Sequence, residues 1–263
     1  MKINISNILH QRLKSRFQAF FVFAACIALS SLTACFDTAP PLDTTGDLTY
    51  TDLTIGTGAT ISADSTIITQ VGINFNMKLK DSTLVQDAQG QTIYALVGST
   101  GNDNNVGYGL DSMMRGMRVG GVRRIIVPPR FGFGNQASGN VPANSTLIYT
   151  IELRRAEQFI REDISKGTGD TVKINSSVDV KYVGKLLNGN IFDATTADNT
   201  FNFRVGQKQV ITGWDIGLLG MQAGGKRRLS IPSLLAYGAQ GSPPRIPSHA
   251  TLIFEIEVVS VSN

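Results

Sequence analysis

A segment near the end of the chain has an ungapped copy earlier in the sequence, and this internal repeat is the strongest constraint on the fold. Residues 213–238 read GWDIGLLGMQAGGKRRLSIPSLLAYG and residues 109–134 read GLDSMMRGMRVGGVRRIIVPPRFGFG, with 10 of 26 positions identical. A lag of roughly 100 residues indicates duplicated domains rather than a solenoid of short repeats. The copies differ at Trp214 and Tyr237, because the earlier segment has Leu110 and Phe133 at the matched positions.

Alternating apolar residues predict that each copy consists mostly of strands. In the later copy residues 176–187 alternate, Asn188-Gly189 is a hairpin-turn signal, and residues 250–261 form a long β-branched run. Residues 212–225 predict one short helix, capped by Thr212 and ended by Gly224-Gly225. We therefore expect about five strands and one helix per copy. A single short helix covers one face of an antiparallel sheet, so the predicted fold class is α+β.

The beginning of the chain has the order of a secretory signal. Four basic residues precede residue 17, an apolar run fills residues 17–32, and the sequence LTAC ends at Cys35. This order is typical of a signal peptide, with a plain transmembrane anchor as the alternative. LTAC also resembles the lipobox of bacterial lipoproteins, which implies that Cys35 carries lipid. We expect a signal peptide and lipobox in residues 1–35 and a flexible tether in residues 36–47, which are rich in Asp, Thr and Pro.

The lipobox resemblance also implies a location and a membrane partner. It predicts a protein of the bacterial cell envelope, anchored in the lipid bilayer through Cys35 and facing the periplasm. Phe36 rather than Asp follows this cysteine, which in enteric-type sorting favours the outer over the inner membrane. Cys26 and Cys35 are the two cysteines of the chain, so a processed chain has no disulfide and no cysteine-based redox or metal site.

Composition argues against several other classes of function. Four of the 24 basic residues lie before residue 17, so the remaining 20 balance the 20 acidic residues and give no electrostatic reason to expect nucleic acid as a partner. His249 is the one histidine after the leader, and no phosphate-binding glycine motif is present. We therefore expect no catalytic triad, no metal site and no cofactor. The run Lys226-Arg227-Arg228 is interpreted as a solvated turn and strand edge, with a nucleic-acid-binding patch as the alternative.

Aromatic residues are concentrated in the second copy. Aromatic residues usually belong to a core. Buried Trp and Tyr, however, need hydrogen-bond partners for their N–H and O–H groups, which favours a pocket that is open to water on one side. The first copy has Phe75, Leu110 and Phe133 in place of a tyrosine, the tryptophan and a second tyrosine, so the fold itself does not require those groups. The residues concerned are Tyr182, Phe192, Phe201, Phe203, Trp214, Tyr237 and Phe254.

The second half resembles the FKBP-type peptidyl-prolyl cis-trans isomerases over nearly its whole length. The resemblance is carried by VKYVGKLLNGNIFDAT, FNFRVGQKQVITGWDIGLLGM, GGKRRLSIPSLLAYGAQG and IPSHATLIFEIEV, and more weakly in the first half by GMRVGGVRRIIVPPRFGFG and VPANSTLIYTIEL. It implies two tandem FKBP-like domains, each a curved antiparallel β-sheet wrapped around one short α-helix. We predict a degenerate domain in residues 48–157 and an isomerase domain in residues 158–263.

The resemblance also implies site residues in the second domain. It places the indole beneath the substrate proline ring, one phenol as a hydrogen-bond donor to the peptide, and an aspartate as the partner of the other phenol. The catalytic residues so implied are Trp214, Tyr237, Asp193 and Tyr182. The substrate-binding residues so implied are Phe192, Phe201, Val210, Ile211, Ile246 and Phe254, with the Ile211 N–H donating to a substrate carbonyl. Ser242 and Arg245 depart from the family at the rim, and the loop ATTADNT lacks an arginine that many members carry.

The implied function is a prolyl isomerase that assists folding of exported proteins without covalent or acid–base chemistry. Its expected partners are proline-containing unfolded or exported polypeptides and the macrolide inhibitors of the family. In the first half Leu110 replaces the indole, Val85-Gln86 stands in place of the Phe-Asp pair and Gly107 in place of Ile211, so we expect little or no isomerase activity there. That half is left with three candidate roles: binding unfolded chains, pairing two chains, or spacing the second half from the membrane. The whole chain has two alternative functions. It could be a non-catalytic chaperone or peptide-binding lipoprotein, or it could be a purely structural lipoprotein.

Overall fold

The computed structural model describes residues 41–98 and 108–263, and these form two six-stranded antiparallel sheets, one in each half of the chain. In the first domain the strand order is β1-β5-β6-β2-β3, and β4 also pairs with β2. The strands are β1 (Thr49–Thr54), β2 (Thr69–Leu79), β3 (Leu84–Asp87), β4 (Ile93–Val97), β5 (Val122–Val127) and β6 (Leu147–Gln158), with helix α1 at Tyr108–Met114 and a 3₁₀ turn at Pro129–Phe131.

The second domain repeats this plan. Its order is β10-β8-β12-β11-β7, and β9 also pairs with β8. The strands are β7 (Ile160–Ser165), β8 (Ser177–Leu186), β9 (Ile191–Ala194), β10 (Phe201–Arg204), β11 (Lys226–Ile231) and β12 (Leu252–Ser262), with helix α2 at Thr212–Gly217 and a 3₁₀ turn at Ser233–Leu235. The α+β prediction of two tandem domains is therefore confirmed.

The expectation of five strands per domain is wrong because each sheet has an additional edge strand. All six residues of β7, IREDIS, are exposed, and the strand is held by backbone pairing with β11. β1 has the same place beside β5 in the first domain. Strands without a buried face lack the apolar alternation on which the sequence prediction relied. The predicted hairpin is confirmed: β8 and β9 pair antiparallel, and Gly189 in the turn has a φ of 87°.

Helix α2 is shorter than the sequence predicted. Ile211, not Thr212, is the N-cap and has no side-chain capping bond, and the helix ends at Gly217 with Leu218 as its C-cap. Gly220 has a φ of 79° and turns the chain away from the helix axis, a conformation that glycine adopts without a steric penalty. Gly224 lies in a later turn that leads into β11, so it does not end the helix.

Two glycines bring α2 directly onto the sheet. A Cβ at Gly213 would lie 2.4 Å from the Ile231 side chain, and one at Gly217 would lie 2.6 Å from Leu229. Both partners belong to β11 and are fully buried. The helix therefore packs on this strand at a distance that only glycine permits, and the first residue after Gly213 is Trp214.

The two domains meet without a linker. β6 ends at Gln158, β7 begins at Ile160, and Phe159 between them is buried in the core of the second domain. Leu96 of β4 is fully buried and also belongs to that second core. The first domain therefore contributes side chains to the packing of the second.

The predicted signal peptide, the lipobox with Cys35, and Gly107 lie outside the described residues. Of the predicted tether, residues 41–47 are described. The Asp43 N–H donates to Asn144 Oδ1 at 2.9 Å, and Asn144 Nδ2 donates to the Pro41 carbonyl at 2.9 Å, so this part lies against the first domain. Within residues 41–98 and 108–263, no helix is long and apolar enough to cross a membrane.

Candidate functional site

The Trp214 indole lies at the centre of an aromatic cluster in the second domain. Its ring is 4.9 Å from Tyr182, 5.2 Å from Phe254 and 6.2 Å from Phe201, centroid to centroid, with interplanar angles of 80°, 85° and 76°. Phe203 lies 5.7 Å away on the remaining side. Edge-to-face contacts of this kind are favourable between aromatic rings. The indole is 4% exposed, whereas Phe201 at the rim is 40% exposed.

One polar donor in this cluster has no partner. Trp214 Nε1 is buried and makes no hydrogen bond with any described residue. A buried N–H without an acceptor costs free energy, so such groups need an explanation in a native structure. An indole N–H left open beside an aromatic cluster fits a site that receives a polar ligand group.

The Tyr182 phenol is tied to Asp193. The two residues come from neighbouring strands, because Gly184 of β8 is paired with Asp193 of β9. The Tyr182 hydroxyl donates to Asp193 Oδ2 at 2.6 Å. Burial, followed by the hydrogen bond and charge of this carboxylate, raises the pKa of Tyr182 well above its ordinary value. The phenol therefore keeps its proton throughout the neutral range and holds the exposed carboxylate beside the aromatic wall.

Tyr237 stands at the rim with its hydroxyl open. Its side chain is 42% exposed, and no hydrogen bond joins its hydroxyl to a described residue. Burial of the ring, and then the negative charge of Asp193, raises the pKa of Tyr237. This phenol also stays protonated at neutral pH and is available as a donor. It follows the 3₁₀ turn Ser233–Leu235, whose first carbonyl accepts the N–H groups of Ala236 at 2.9 Å and Gly238 at 2.8 Å.

The aromatic wall depends on a residue that the sequence analysis missed, Gly184. Phe192 packs perpendicular to Phe254, with ring centroids 5.5 Å apart. A Cβ at Gly184 would lie 2.7 Å from the first ring and 2.8 Å from the second. Gly184 is paired with Phe254 across the sheet, just as Met77 is paired with Tyr149 in the first domain. The difference between glycine and methionine at matched positions was the available signal.

The segment before α2 carries Val210 and Ile211, which are half-buried and pack against the second core. The Ile211 carbonyl accepts the Trp214 N–H at 2.9 Å, while the Ile211 N–H makes no hydrogen bond with a described residue. A second missed residue, Asp215, holds this segment: its buried carboxylate accepts the N–H groups of Gly206 at 2.7 Å and Lys208 at 3.3 Å.

Asp215 also has a counterpart that the alignment of the two copies could have shown. Asp111 occupies the same position in the first copy and accepts the Gly98 N–H at 3.1 Å. An acidic residue kept in both copies, next to a position where indole and leucine differ, marks a structural role. In the second domain Asp215 supports the loop that precedes the helix, and in the first Asp111 binds the N–H of Gly98 directly after β4, although no indole is present there.

A short segment, residues 242–246 and here called the flap, is held by backbone hydrogen bonds and by Arg245, one of the residues that depart from the family. Ile246 is 4% exposed, and its N–H and carbonyl exchange hydrogen bonds of 2.9 and 2.8 Å with Ser242. Arg245 Nη1 donates to the Phe192 carbonyl at 3.4 Å, which ties the flap to β9. The structure thus brings together all ten predicted second-domain site residues: Tyr182, Phe192, Asp193, Phe201, Val210, Ile211, Trp214, Tyr237, Ile246 and Phe254. Their assigned roles stay predictions.

The interpretation of the basic run as a solvated edge is wrong for Arg227. This side chain is buried, its Nε donates to Asp163 at 2.6 Å, and its Nη1 donates to the carbonyls of Gly217 at 2.6 Å and Leu219 at 3.2 Å. Its hydrogen bond and charge lower the pKa of Asp163. Arg123 repeats the arrangement in the first domain. Arginine supplies the free carbonyls at the helix end with donors, so the role is structural.

In the first domain, different side chains occupy the positions that correspond to the aromatic cluster of the second. Phe75, Leu110 and Phe133 are half-buried and pack on the first core, and no indole is present. Tyr149 stands where the second domain has Phe254, 6.2 Å from the Phe75 ring, and burial raises its pKa to about 12. Met77 is 4% exposed and belongs to the same core cluster.

Comparison with known proteins identifies the family to which the chain belongs. The sequence model of the family described as FKBP-type peptidyl-prolyl cis-trans isomerase matches the chain twice, at residues 62–154 and 169–259. The chain belongs to the FKBP-type peptidyl-prolyl cis-trans isomerase family. Two matches, one to each sheet, confirm the predicted tandem repeat and the class of enzyme at the level of the family.

Among its FKBP-type relatives, the chain is 54% identical over 99 residues to FK506-binding protein 4 of Dictyostelium discoideum and 47% identical over 103 residues to FK506-binding protein 4 of Rhizopus delemar. The matches cover 38% and 39% of this chain and 27% of each relative, so the chain spans about a quarter of their length.

Solved structures with similarity include a peptidyl-prolyl cis-trans isomerase from Pseudomonas syringae pv. tomato, at 41% identity. It covers 40% of this chain and 76% of that one, with a TM-score of 0.37. The three FKBP domains of wheat FKBP73 match at 24% identity over 82% of this chain and 94% of that one, with a TM-score of 0.40.

Proposed function

We propose that the second domain catalyses cis–trans isomerisation of X-Pro peptide bonds in the aromatic site around Trp214. The observation that carries this proposal is the cluster itself. A buried indole stands against four aromatic rings, beside a Tyr182–Asp193 hydrogen bond, with open donors at its rim. The first domain has leucine at the matched position and lacks the Tyr–Asp pair, so we propose that it has little or no activity.

The reaction suits a site without a nucleophile or a catalytic base. Rotation about an X-Pro amide faces a barrier of about 20 kcal/mol and takes tens to hundreds of seconds unaided, but breaks no bond. The planar ground state has amide resonance and a large dipole, both of which weaken in the twisted transition state. An apolar site poor in water therefore disfavours the planar amide relative to the twisted one.

The open donors hold the peptide on either side of the rotating bond. The Ile211 N–H at the start of α2 and the Tyr237 hydroxyl at the rim are both free to donate to substrate carbonyls. The ring of the substrate proline would lie over the indole, whose unpaired N–H offers a third donor. Asp193 orients Tyr182 and transfers no proton. Each tenfold gain in rate requires only about 1.4 kcal/mol of differential stabilisation.

Trp214→Leu tests the catalytic assignment, because it places in the second domain the leucine that the first domain has at the matched position 110. We expect kcat/KM on a short X-Pro peptide to fall by at least about tenfold, because the transition state loses its aromatic floor. The rate is measured by two-dimensional exchange NMR on the full chain. The matched control is Leu110→Val in the first domain, which should leave the rate unchanged. A Trp214→Leu variant that folds and retains the wild-type rate would falsify the proposal.

The substrates proposed are proline-containing unfolded polypeptides, including exported ones, and macrolides such as FK506 are the proposed inhibitors. The proposal that macrolides bind is supported by the names of the relatives, which are FK506-binding proteins. Trp214 is the only tryptophan in the chain, so its emission reports occupancy of this one site. Saturable change of that emission with macrolide, together with loss of isomerase activity, separates a catalytic site from a groove that only binds.

We also propose that the protein is a lipoprotein of the bacterial cell envelope, facing the periplasm and with the outer membrane favoured. The support is the sequence order of basic segment, apolar run and LTAC ending at Cys35. Cys35→Ser should move the protein from the membrane fraction to a soluble or unprocessed form. Mass spectrometry of the wild-type N-terminal peptide should find a diacylglyceryl group on Cys35, and an unmodified cysteine at that place rejects the anchor.

A further inference from the structure

One buried amide joins the two domains. Gln70 stands near the start of β2 in the first domain and is 1% exposed. Its Oε1 accepts the Ser233 hydroxyl at 3.1 Å and the Leu234 N–H at 2.7 Å, both from the second domain. Its Nε2 donates to Glu157 at 3.3 Å. Because a backbone N–H can only donate, these contacts fix which end of the amide faces the second domain.

The residues that Gln70 binds control the place of Tyr237. Ser233 and Leu234 open the 3₁₀ turn Ser233–Leu235, and Tyr237 is the second residue after the end of this turn. The Ser233 carbonyl accepts the N–H groups of Ala236 and Gly238, the two neighbours of Tyr237 in the chain. A side chain that fixes Ser233 therefore fixes the backbone on both sides of the phenol.

A second contact from the first domain holds the far side of the same turn. The Tyr94 ring stacks on His249, with centroids 4.1 Å apart and an interplanar angle of 24°. The His249 N–H donates to the Gly238 carbonyl at 3.0 Å. Close by, the Thr251 hydroxyl donates to Glu157 at 2.9 Å. The turn is thus held against the first domain from both ends.

The first domain shows that the turn does not need such an amide in order to form. There the Pro129 carbonyl accepts the N–H groups of Gly132 and Gly134, each at 3.0 Å, in the same pattern. Pro129 stands where Ser233 stands and has no hydroxyl to offer to an amide. The bonds from Gln70 therefore do not build the turn of the second domain. They determine where the turn lies.

We propose that Gln70 is a positioning residue for Tyr237, so that the first domain serves as a fixed support for the active site of the second. Through Ser233 and Leu234 the amide keeps the Tyr237 hydroxyl at the rim, facing the place of the substrate carbonyl. The inference rests on the proposed function, since it assumes that Tyr237 contacts the substrate. It gives the first domain a role in the reaction without a site of its own.

Gln70→Met tests the proposal in the full-length chain. Methionine keeps the length of the side chain and removes both hydrogen bonds to the turn. We expect kcat on an X-Pro peptide to fall about fivefold while KM changes less than about twofold, as for an interaction used in the transition state. Gln91→Met is the matched control, because Gln91 is an exposed glutamine of the same domain whose side chain makes no hydrogen bond with a described residue. It should behave as wild type.

A double-mutant cycle with Tyr237→Phe separates positioning from general destabilisation. If Gln70 acts through the phenol, Gln70→Met lowers the rate in the wild type but not in the Tyr237→Phe background. Equal losses in both backgrounds, or a wild-type rate for Gln70→Met, overturn the inference. If Gln70→Met does not fold, Ser233→Ala removes the hydroxyl bond to Gln70 while the Leu234 N–H bond remains. A smaller loss of rate is then expected in the wild type and none in the Tyr237→Phe background, and equal losses in both backgrounds, or a wild-type rate for Ser233→Ala, overturn the inference. A wild-type rate for Trp214→Leu would instead overturn the proposed function, whatever the result for Gln70→Met.

Discussion

At the scale of single residues, the aromatic site depends on where side chains are missing. Gly213 lets α2 lie on β11, which brings Trp214 to the floor of the cluster. Gly184 leaves space for the edges of Phe192 and Phe254, which would otherwise meet a Cβ at less than 3 Å. A packed interior transmits such an intrusion, because it has few voids into which a ring can retreat. The rings that line the site are therefore only as well placed as these two glycines allow.

Gly184→Ala should consequently weaken both the fold and the reaction. We expect a loss of about 2 kcal/mol in the free energy of unfolding, typical of overpacking, and a lower kcat/KM because both rings must shift. Urea unfolding followed by Trp214 emission measures the first effect. Gly132→Ala is the control, since a Cβ there would meet its nearest neighbour at an ordinary 3.5 Å. Equal stability of the two variants would show that the wall does not depend on Gly184.

At the scale of elements, α2 is too short to be stable by itself. It has six residues and no side-chain cap, and isolated helices of this length do not persist in water. Three attachments hold it: the glycine contacts with β11, the Asp215 bonds to the preceding loop, and the Arg227 bonds to carbonyls at its end. The sequence indicated that a helix was present but placed its end wrongly, because the tertiary contacts that stop it have no local signal.

Arg227→Met tests whether the helix end is held from the sheet. It leaves two helix-end carbonyls without their donor, so we expect a loss of about 2–3 kcal/mol in the free energy of unfolding. Arg228→Met is the matched control on the same strand: Arg228 is exposed and pairs with exposed acids, so its loss should cost less than about 1 kcal/mol. Both free energies are measured by urea unfolding at neutral pH. A similar loss in the two variants would show that the hydrogen bonds from Arg227 to the helix end do not stabilise the fold more than an exposed ion pair does.

At the scale of the whole molecule, the duplication was the most informative signal in the sequence. It predicted two domains of one fold, and comparison of the copies separated what the scaffold needs from what the site needs. Strands with alternating burial were predictable, whereas edge strands such as β7 were not, because their backbone pairing leaves no apolar pattern. The ten second-domain site residues were predicted through resemblance to a family. Gly184, Asp215 and Gln70 were not, since their roles appear only when strands, loops and domains are brought together.

The pairing of the two domains was also beyond the reach of the sequence. Leu96 reads as an ordinary strand residue of the first domain, yet it packs in the core of the second. Gln70 reads as an ordinary polar residue at the start of a strand, yet its amide reaches into the other domain. The bond from the Leu234 N–H to Gln70 joins residues 164 positions apart in the chain. The partners of Leu96 and Gln70 are defined only by the way the sheets meet.

Met77 fills space in the first domain at the position where Gly184 leaves room for aromatic rings in the second. Placing tryptophan at position 110 would restore an indole but not the space in front of it, because a buried methionine stands where the sister copy has glycine. Building the aromatic cluster of the second domain in the first would require exchanges at positions 77 and 110 together. Under the proposed function, one substitution can therefore alter the site of the second domain, whereas one substitution cannot create that site in the first.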